Sequence, residues 1–285
     1  MKLSEATWTE VRDADVDAAL LPVGSTEQHG PHAPLGTDAL TAEAVADAAA
    51  ERWAENGNVD GSGDGADGGG SEGDDPDRGT GGPDRDSEGS DRDGDLLVAP
   101  PVHVGVAEEH RAFDGTLWVS PDTFRAYVRE TVESLAHHGV DRVVLVNGHG
   151  GNVEALAEVA RRVSRDDATD AYAVSFTWFE AVGEHAGRMG HGGPLETAML
   201  RHVAPDLVRE DRVADARDGG SGRWGEWVRG VNLAHDSDEF TGNGVVGDPT
   251  GGTAALGEEL LDRASDALCD VAGAVAGRER GRRER

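Results

Sequence analysis

The sequence predicts an α/β fold: one domain of three layers, α/β/α, about a mostly parallel central sheet. Three observations predict it. Short apolar, β-branched runs recur along the chain. Alanine-rich or amphipathic stretches of helical length separate them. The runs end in glycine- and proline-containing loops that carry His, Asp and Glu. Strands alternating with helices imply parallel pairing with both sheet faces covered.

The first strand lies near 17–23, where Ala18-Ala19-Leu20-Leu21-Pro22-Val23 is a continuous apolar run of the kind buried on both faces. A helix near 38–55 turns Leu40, Val45 and Ala49 toward a core. A strand at 96–99 stops at Pro100-Pro101. A helix near 121–138 leads to a strand at 142–147, and Asn152 is placed to cap a helix at 152–164. The strand at 171–177 carries Val174 and Phe176 and precedes Trp178. Helices near 194–203, with Pro194 in the first turn, and 252–277 complete the domain. No internal repeat is apparent.

Residues 56–95 break this pattern. They contain 13 Gly, 13 Asp or Glu and three Arg, with Val59 and Ala66 as the only apolar side chains. Such a segment buries too little surface to offset its ordering entropy and reads as a disordered acidic insertion. The catalytic domain is therefore expected over 1–277, interrupted by 56–95, with 278–285 a frayed Arg-rich tail.

Of 285 residues, 56 are Asp or Glu, and the net charge is −30. Lys2 is the only lysine beside 25 arginines. Acid spread over the whole chain suggests a protein from a high-salt setting, where salt screens its self-repulsion. It argues against a nucleic-acid partner, which needs a basic patch. One cysteine, Cys269, excludes an internal disulfide and sits in an apolar helical pattern. No signal segment precedes the first strand and no run of 18 apolar residues exists, so a cytoplasmic protein with no membrane partner is expected.

Three clusters carry chemistry. Glu27-Gln28-His29-Gly30-Pro31-His32-Ala33-Pro34-Leu35-Gly36-Thr37-Asp38 follows the first strand and gathers two carboxylates and two imidazoles at its carboxyl end, where open α/β sheets place their sites. Asn147-Gly148-His149-Gly150-Gly151-Asn152 follows the strand at 142–147. His191-Gly192-Gly193-Pro194-Leu195-Glu196-Thr197 opens a helix, with Glu196 in its first turn. A lone histidine in a glycine turn is more often structural, but three such clusters at element boundaries point to a metal site. Mixed oxygen and nitrogen donors suit Zn²⁺, Mn²⁺ or Fe²⁺ better than Mg²⁺ or Ca²⁺.

Together these segments resemble the signatures of the creatininase family of metal-dependent amidohydrolases. Glu109-His110-Arg111-Ala112-Phe113-Asp114-Gly115-Thr116 is a fourth match and Gly244 to Pro249 a weaker one. Gly192 stands for the family's usual Ala and Asp114 for a usual Pro. The resemblance implies two divalent ions per chain, Zn, Fe or Mn. Asp38 would bridge them, Glu27 and His149 would hold one, His29 the other, and Glu196 would be the remaining carboxylate. A water between the ions would ionise near neutrality, and His191 would carry the proton to the leaving nitrogen. His32, His110 and Trp178 are candidates for the substrate side, with structural roles as the alternative. A small-molecule substrate and a homo-oligomer, a hexamer, are also implied.

Creatininases proper carry a Glu where this chain has Gly151. A bare position there frees space and removes a negative charge. That is closer to the family's formamide-hydrolysing branch, which acts on a formylaminopyrimidine nucleotide in flavin and deazaflavin biosynthesis. A creatinine or other cyclic-amide hydrolase, a small-peptide peptidase and a non-catalytic metal-binding protein are the alternatives.

Overall fold

The computed structural model describes residues 1–57, 94–166 and 168–278. Four parallel strands form the central sheet: β1 (Val16–Val23), β2 (Asp95–Val98), β3 (Arg142–Asn147) and β4 (Tyr172–Thr177). Their order is β2-β1-β3-β4. The chain steps from β1 to one side and then returns to the other, so the order reverses between β1 and β3. A crevice opens at the carboxyl ends of strands flanking such a point.

Seven helices accompany the sheet among the described residues: α1 (Trp8–Asp13), α2 (Thr37–Gly57), α3 (Pro121–His137), α4 (Val153–Val163), α5 (Pro194–Val203), α6 (Val213–Gly219) and α7 (Ala254–Ala276). Alternation along each strand divides the core. Ala18, Leu20, Val144, Val146 and Phe176 face α2, α5 and α7 in one cluster. Ala19, Leu21, Val143, Leu145 and Ala173 face α3 and α4 in the other. The three layers expected from the sequence follow from this period of two. Start signals agree as well: Ser120 caps α3 ahead of Pro121, and Thr253 caps α7. Val45, Ala49 and Cys269 are core residues, and the Cys269 thiol donates to the Ala49 carbonyl.

Three expectations are corrected. Asn152 does not cap α4: its side chain accepts from the Val106 N–H (2.9 Å) and donates to the Gly24 carbonyl (3.0 Å). It ties the end of β1 to the loop after β2. The insertion is narrower than 56–95, because α2 runs through Gly57 and β2 starts at Asp95. Residues 58–93, to which the disorder reading belongs, and 279–285 of the tail lie outside the described residues. Three small elements were not anticipated: α1, α6, and an antiparallel hairpin of β5 (Trp227–Val228) and β6 (Val231–Asn232).

Candidate metal centre

The first cluster enters the crevice because the chain after β1 folds back on itself. The Glu27 N–H donates to the Leu35 carbonyl at 2.9 Å, closing a loop that turns Glu27 and His29 inward. Thr37 and Asp38 then open α2, so Asp38 stands in the first turn of a helix. The loop after β3 lies against that turn, where a Cβ on Gly148 would come within 2.2 Å of the Asp38 carbonyl. Only glycine permits this approach, and it sets His149 beside Asp38. Glu196 arrives from the first turn of α5. Both first-turn carboxylates thus sit at positive helix ends.

Glu27, His29, Asp38, His149, His191 and Glu196 are all buried and converge. His149 Nδ1 lies 3.1 Å from Glu27 Oε1 and 3.4 Å from Asp38 Oδ2. His29 Nε2 lies 3.0 Å from Asp38 Oδ1 and 3.6 Å from Glu196 Oε1. Two donor groups of metal-ligand spacing result, Glu27-Asp38-His149 and His29-Asp38-Glu196, and Asp38 is common to both. A third group is Glu27-His29-His191.

The back of each ring fixes which nitrogen is free. His149 Nε2 faces the Val106 carbonyl at 2.7 Å, and His29 Nδ1 faces the Glu27 carbonyl at 3.1 Å. A carbonyl only accepts, so these nitrogens carry the protons. Each neutral ring then turns its lone pair, at His149 Nδ1 and His29 Nε2, into the cluster. Both oxygens of Glu27, Asp38 Oδ2, Glu196 Oε2 and His29 Nε2 are buried without a hydrogen-bond partner. Buried carboxylate oxygens and an imidazole lone pair turned toward one another are costly unless answered. Positive charge must answer them, and the donor set fits a divalent cation.

With protons as the only cations, the titrations report the same demand. Burial works against charge on His149, but Glu27, with Asp38 and Glu109, overrides it and lifts the pKa to about 10. Asp38 and Glu196 likewise override burial at His29 and raise it well above the usual imidazole value. Burial and then the Glu27 charge push Asp38 up, whereas His29 outweighs burial at Glu196 and holds it down.

His191 sits in a stack of imidazoles, 4.3 Å from His29 and 4.2 Å from His110 between ring centroids. Its Nε2 lies 2.5 Å from the Gln28 carbonyl and so carries the proton. Nδ1, 3.6 Å from Glu27 Oε1, is its basic atom and faces the cluster. Burial and the neighbouring His29 depress its pKa to about 4. His110 is anchored by the Gln28 amide, which donates to its Nδ1 at 2.8 Å, and lies 3.5 Å from Glu27 Oε1. Thr116, last residue of the same segment, accepts the Gln28 N–H at 3.2 Å. His32 is buried and bonded through Nε2 to Thr197 Oγ1 at 2.9 Å.

Two readings change at this site. Trp178 lines no pocket: it is 0% exposed among Val146, Phe176 and Leu195 in the core. Trp224 takes the position expected of it, edge-on to His110 at 5.6 Å and to His191 at 6.0 Å. Its only sequence signal was an aromatic in a glycine-rich loop. Nor is Gly151 a bare position. A Cβ there would meet the Val106 carbonyl at 2.3 Å, His149 Nε2 at 2.4 Å and Glu109 Oε1 at 2.8 Å. The space is filled, and a carboxylate fills part of it.

The family model described as creatinine amidohydrolase, Creatininase, matches residues 4–272. The chain belongs to the creatininase family. It is an amidohydrolase of that family. It is 33% identical over 256 residues to a mycofactocin precursor peptide peptidase of Mycobacterium ulcerans, covering 90% of this chain and 81% of that protein. It is 29% identical over 237 residues to the creatinine amidohydrolase of Pseudomonas putida, covering 75% of each. A crystal structure of creatinine amidohydrolase (creatininase) superposes with a TM-score of 0.69 at 23% identity, covering 98% of both chains. A mutant creatininase of Zn–Zn type superposes with a TM-score of 0.72 at 21% identity, covering 97% of this chain and 98% of that one.

Proposed function

We propose that the buried cluster holds two divalent ions and that the chain hydrolyses the amide C–N bond of an extended small substrate, a peptide-derived amide before all others. The observation that carries the two-ion reading is Asp38, the residue common to two donor groups whose histidines both turn free lone pairs inward. Glu27, Asp38 and His149 would hold one ion and His29, Asp38 and Glu196 the other. Solved creatininase structures of Zn–Zn and Mn type support Zn²⁺ or Mn²⁺, and Fe²⁺ shares the ligand preference. When bound, such ions acidify water and polarise a carbonyl.

The chain's own residues do the rest. His191, neutral near pH 7, would take a proton from the attacking water at Nδ1 and deliver it to the departing nitrogen. The Gln28 carbonyl holds its ring in that tautomer, and His29 and His110 hold its plane. Burial of the whole cluster excludes bulk water from the charges.

A cavity of about 660 Å³ adjoins His191, larger than a creatinine ring needs. The curated relatives above 30% identity bear the peptidase name, which supports a peptide-derived amide. The formylaminopyrimidine nucleotide is kept as a second reading on a different observation, two arginines in that cavity which suit a phosphate. Gly151 no longer argues for it. A homo-oligomer belongs to the same proposal, supported by the exposed Trp227, Val228, Val231 and Leu233 of the β5–β6 region.

Metal-reconstituted protein in molar salt should be assayed against short peptides, the formylaminopyrimidine nucleotide and creatinine side by side. Cleavage of creatinine alone would overturn the extended-substrate reading. Asp38→Ala should remove nearly all bound metal by elemental analysis, because it takes a ligand from both ions. A variant keeping two ions per chain would rule out the shared carboxylate.

A further inference from the structure

The cavity beside His191 is walled by three segments, 187–190, 222–224 and 246–251, with Pro194. It lies beside the cluster. Gly190 precedes His191, Val246 exchanges both backbone hydrogen bonds with His191 at 2.8 and 2.9 Å, and Trp224 stands edge-on to it. Glycines make up much of the lining, and a Cβ added at Gly187 or Gly222 would meet nothing within 4 Å. A substrate whose amide reaches the cluster has room to extend here.

Its ionisable lining consists of Arg188, Arg223 and Asp248. In a chain of net charge −30, eleven of the eighteen arginines among the described residues pair with a carboxylate. Among the described residues no carboxylate comes within ion-pair reach of Arg188 or Arg223, and the side chain of Arg188 makes one polar contact, 3.5 Å from His185 Nδ1. Its Nη2 hangs over the 249–251 turn, 3.8 Å from where a Gly251 Cβ would be. Asp248 does not neutralise them. Its Oδ1 accepts from the Thr250 N–H (3.0 Å) and hydroxyl (2.6 Å), which hold its pKa down and commit it to the turn. The cavity is left with net positive charge beside a buried anionic cluster. Solvated surface arginines are the plain alternative, but it does not account for two arginines without a carboxylate lining one cavity.

We infer that Arg188 and Arg223 form a subsite for an anionic group of the substrate, a carboxylate or a phosphate. This rests on the amidohydrolase reading above and adds the chemistry of the substrate's far end. Guanidinium forks match both anions. A peptide would present its terminal carboxylate there, and a nucleotide its phosphate. Trp224 gives the intervening part of the substrate a flat apolar wall.

The test is calorimetric, on metal-loaded protein at low ionic strength. A hydrolysis-resistant ketomethylene dipeptide is titrated as free acid and as C-terminal amide. A pyrimidine nucleoside is titrated with and without its 5′-phosphate. In one pair the anion should bind at least about tenfold tighter than its neutral partner, and that pair identifies carboxylate or phosphate. In R188Q/R223Q the advantage should shrink below about twofold, with metal content unchanged. Equal binding within both pairs, or an advantage that survives the double variant, overturns the subsite. Both side chains are exposed, so folding is not at stake. Amide hydrolysis and metal content are read separately, so failure of the amidohydrolase reading shows itself independently.

Discussion

Gly151 illustrates what single residues of this site do and do not reveal. As a letter it reads as a missing carboxylate and an open space. In the fold the Val106 carbonyl, His149 and Glu109 occupy that space, and the Glu109 carboxylate lies 3.9 Å from His149 Nε2. Glu109 brings a negative charge to that place from another segment. Restoring the creatininase residue by Gly151→Glu should therefore harm the protein. Overpacking of this kind costs about 1–3 kcal/mol, which corresponds to a fall in unfolding temperature of about 3–10 °C. Bound metal should fall as well, because the His149 ring must give way. Thermal unfolding and elemental analysis check both. A variant with native stability and increased creatinine turnover would show that the position is free after all.

At the scale of elements, the four strands of the central sheet and the long helices were legible because each is locally consistent. β3 is apolar and β-branched, and α5 announces itself with Pro194. The ligand-bearing loops were legible because glycines and prolines end the strands where side chains of one chemistry begin. What was not legible depends on distant contacts. Asn152 looks like a cap in sequence, yet its amide is drawn to Gly24 and Val106. Trp178 and Trp224 are both aromatics after or within loops, and only packing against Phe176 or His191 tells them apart. The α2–β2 connection gives a prediction of its own. Trp53 Nε1 donates to the Gly94 carbonyl at 2.9 Å, so the two ends of the 58–93 segment lie near each other. A tetraglycine link can join them. Shortening the loop from 36 residues to four relieves closure entropy by about 2 kcal/mol at most. The unfolding temperature should hold or rise slightly, with turnover unchanged in the same salt. A large loss of turnover would mean that the segment reaches the site.

For the whole molecule, the buried cluster couples stability to pH and to metal. His149 and His29 have raised pKa values in the folded chain, His149 about 10 against 6.5 when unfolded. Such groups stabilise the fold fully below the unfolded value, and the contribution is lost as pH rises through the folded one. His191 and His32 are depressed to about 4, mainly by burial and then by His29. They favour the fold increasingly as pH rises from about 4 to 6.5. Metal-free protein should thus be most stable near pH 6.5 and weaken steadily toward pH 10, as the protons that answer Glu27, Asp38 and Glu196 leave. Bound cations supply that charge without titrating, so the loaded protein should keep its stability over the same range, and metal affinity should climb with pH as protons cease to compete. Comparing chelator-treated and reconstituted protein by thermal unfolding between pH 5 and 10 cancels the titration of surface groups common to both. Parallel curves from pH 6.5 to 10 would mean that the cluster does not exchange protons for metal, and the two-ion centre would have to be abandoned.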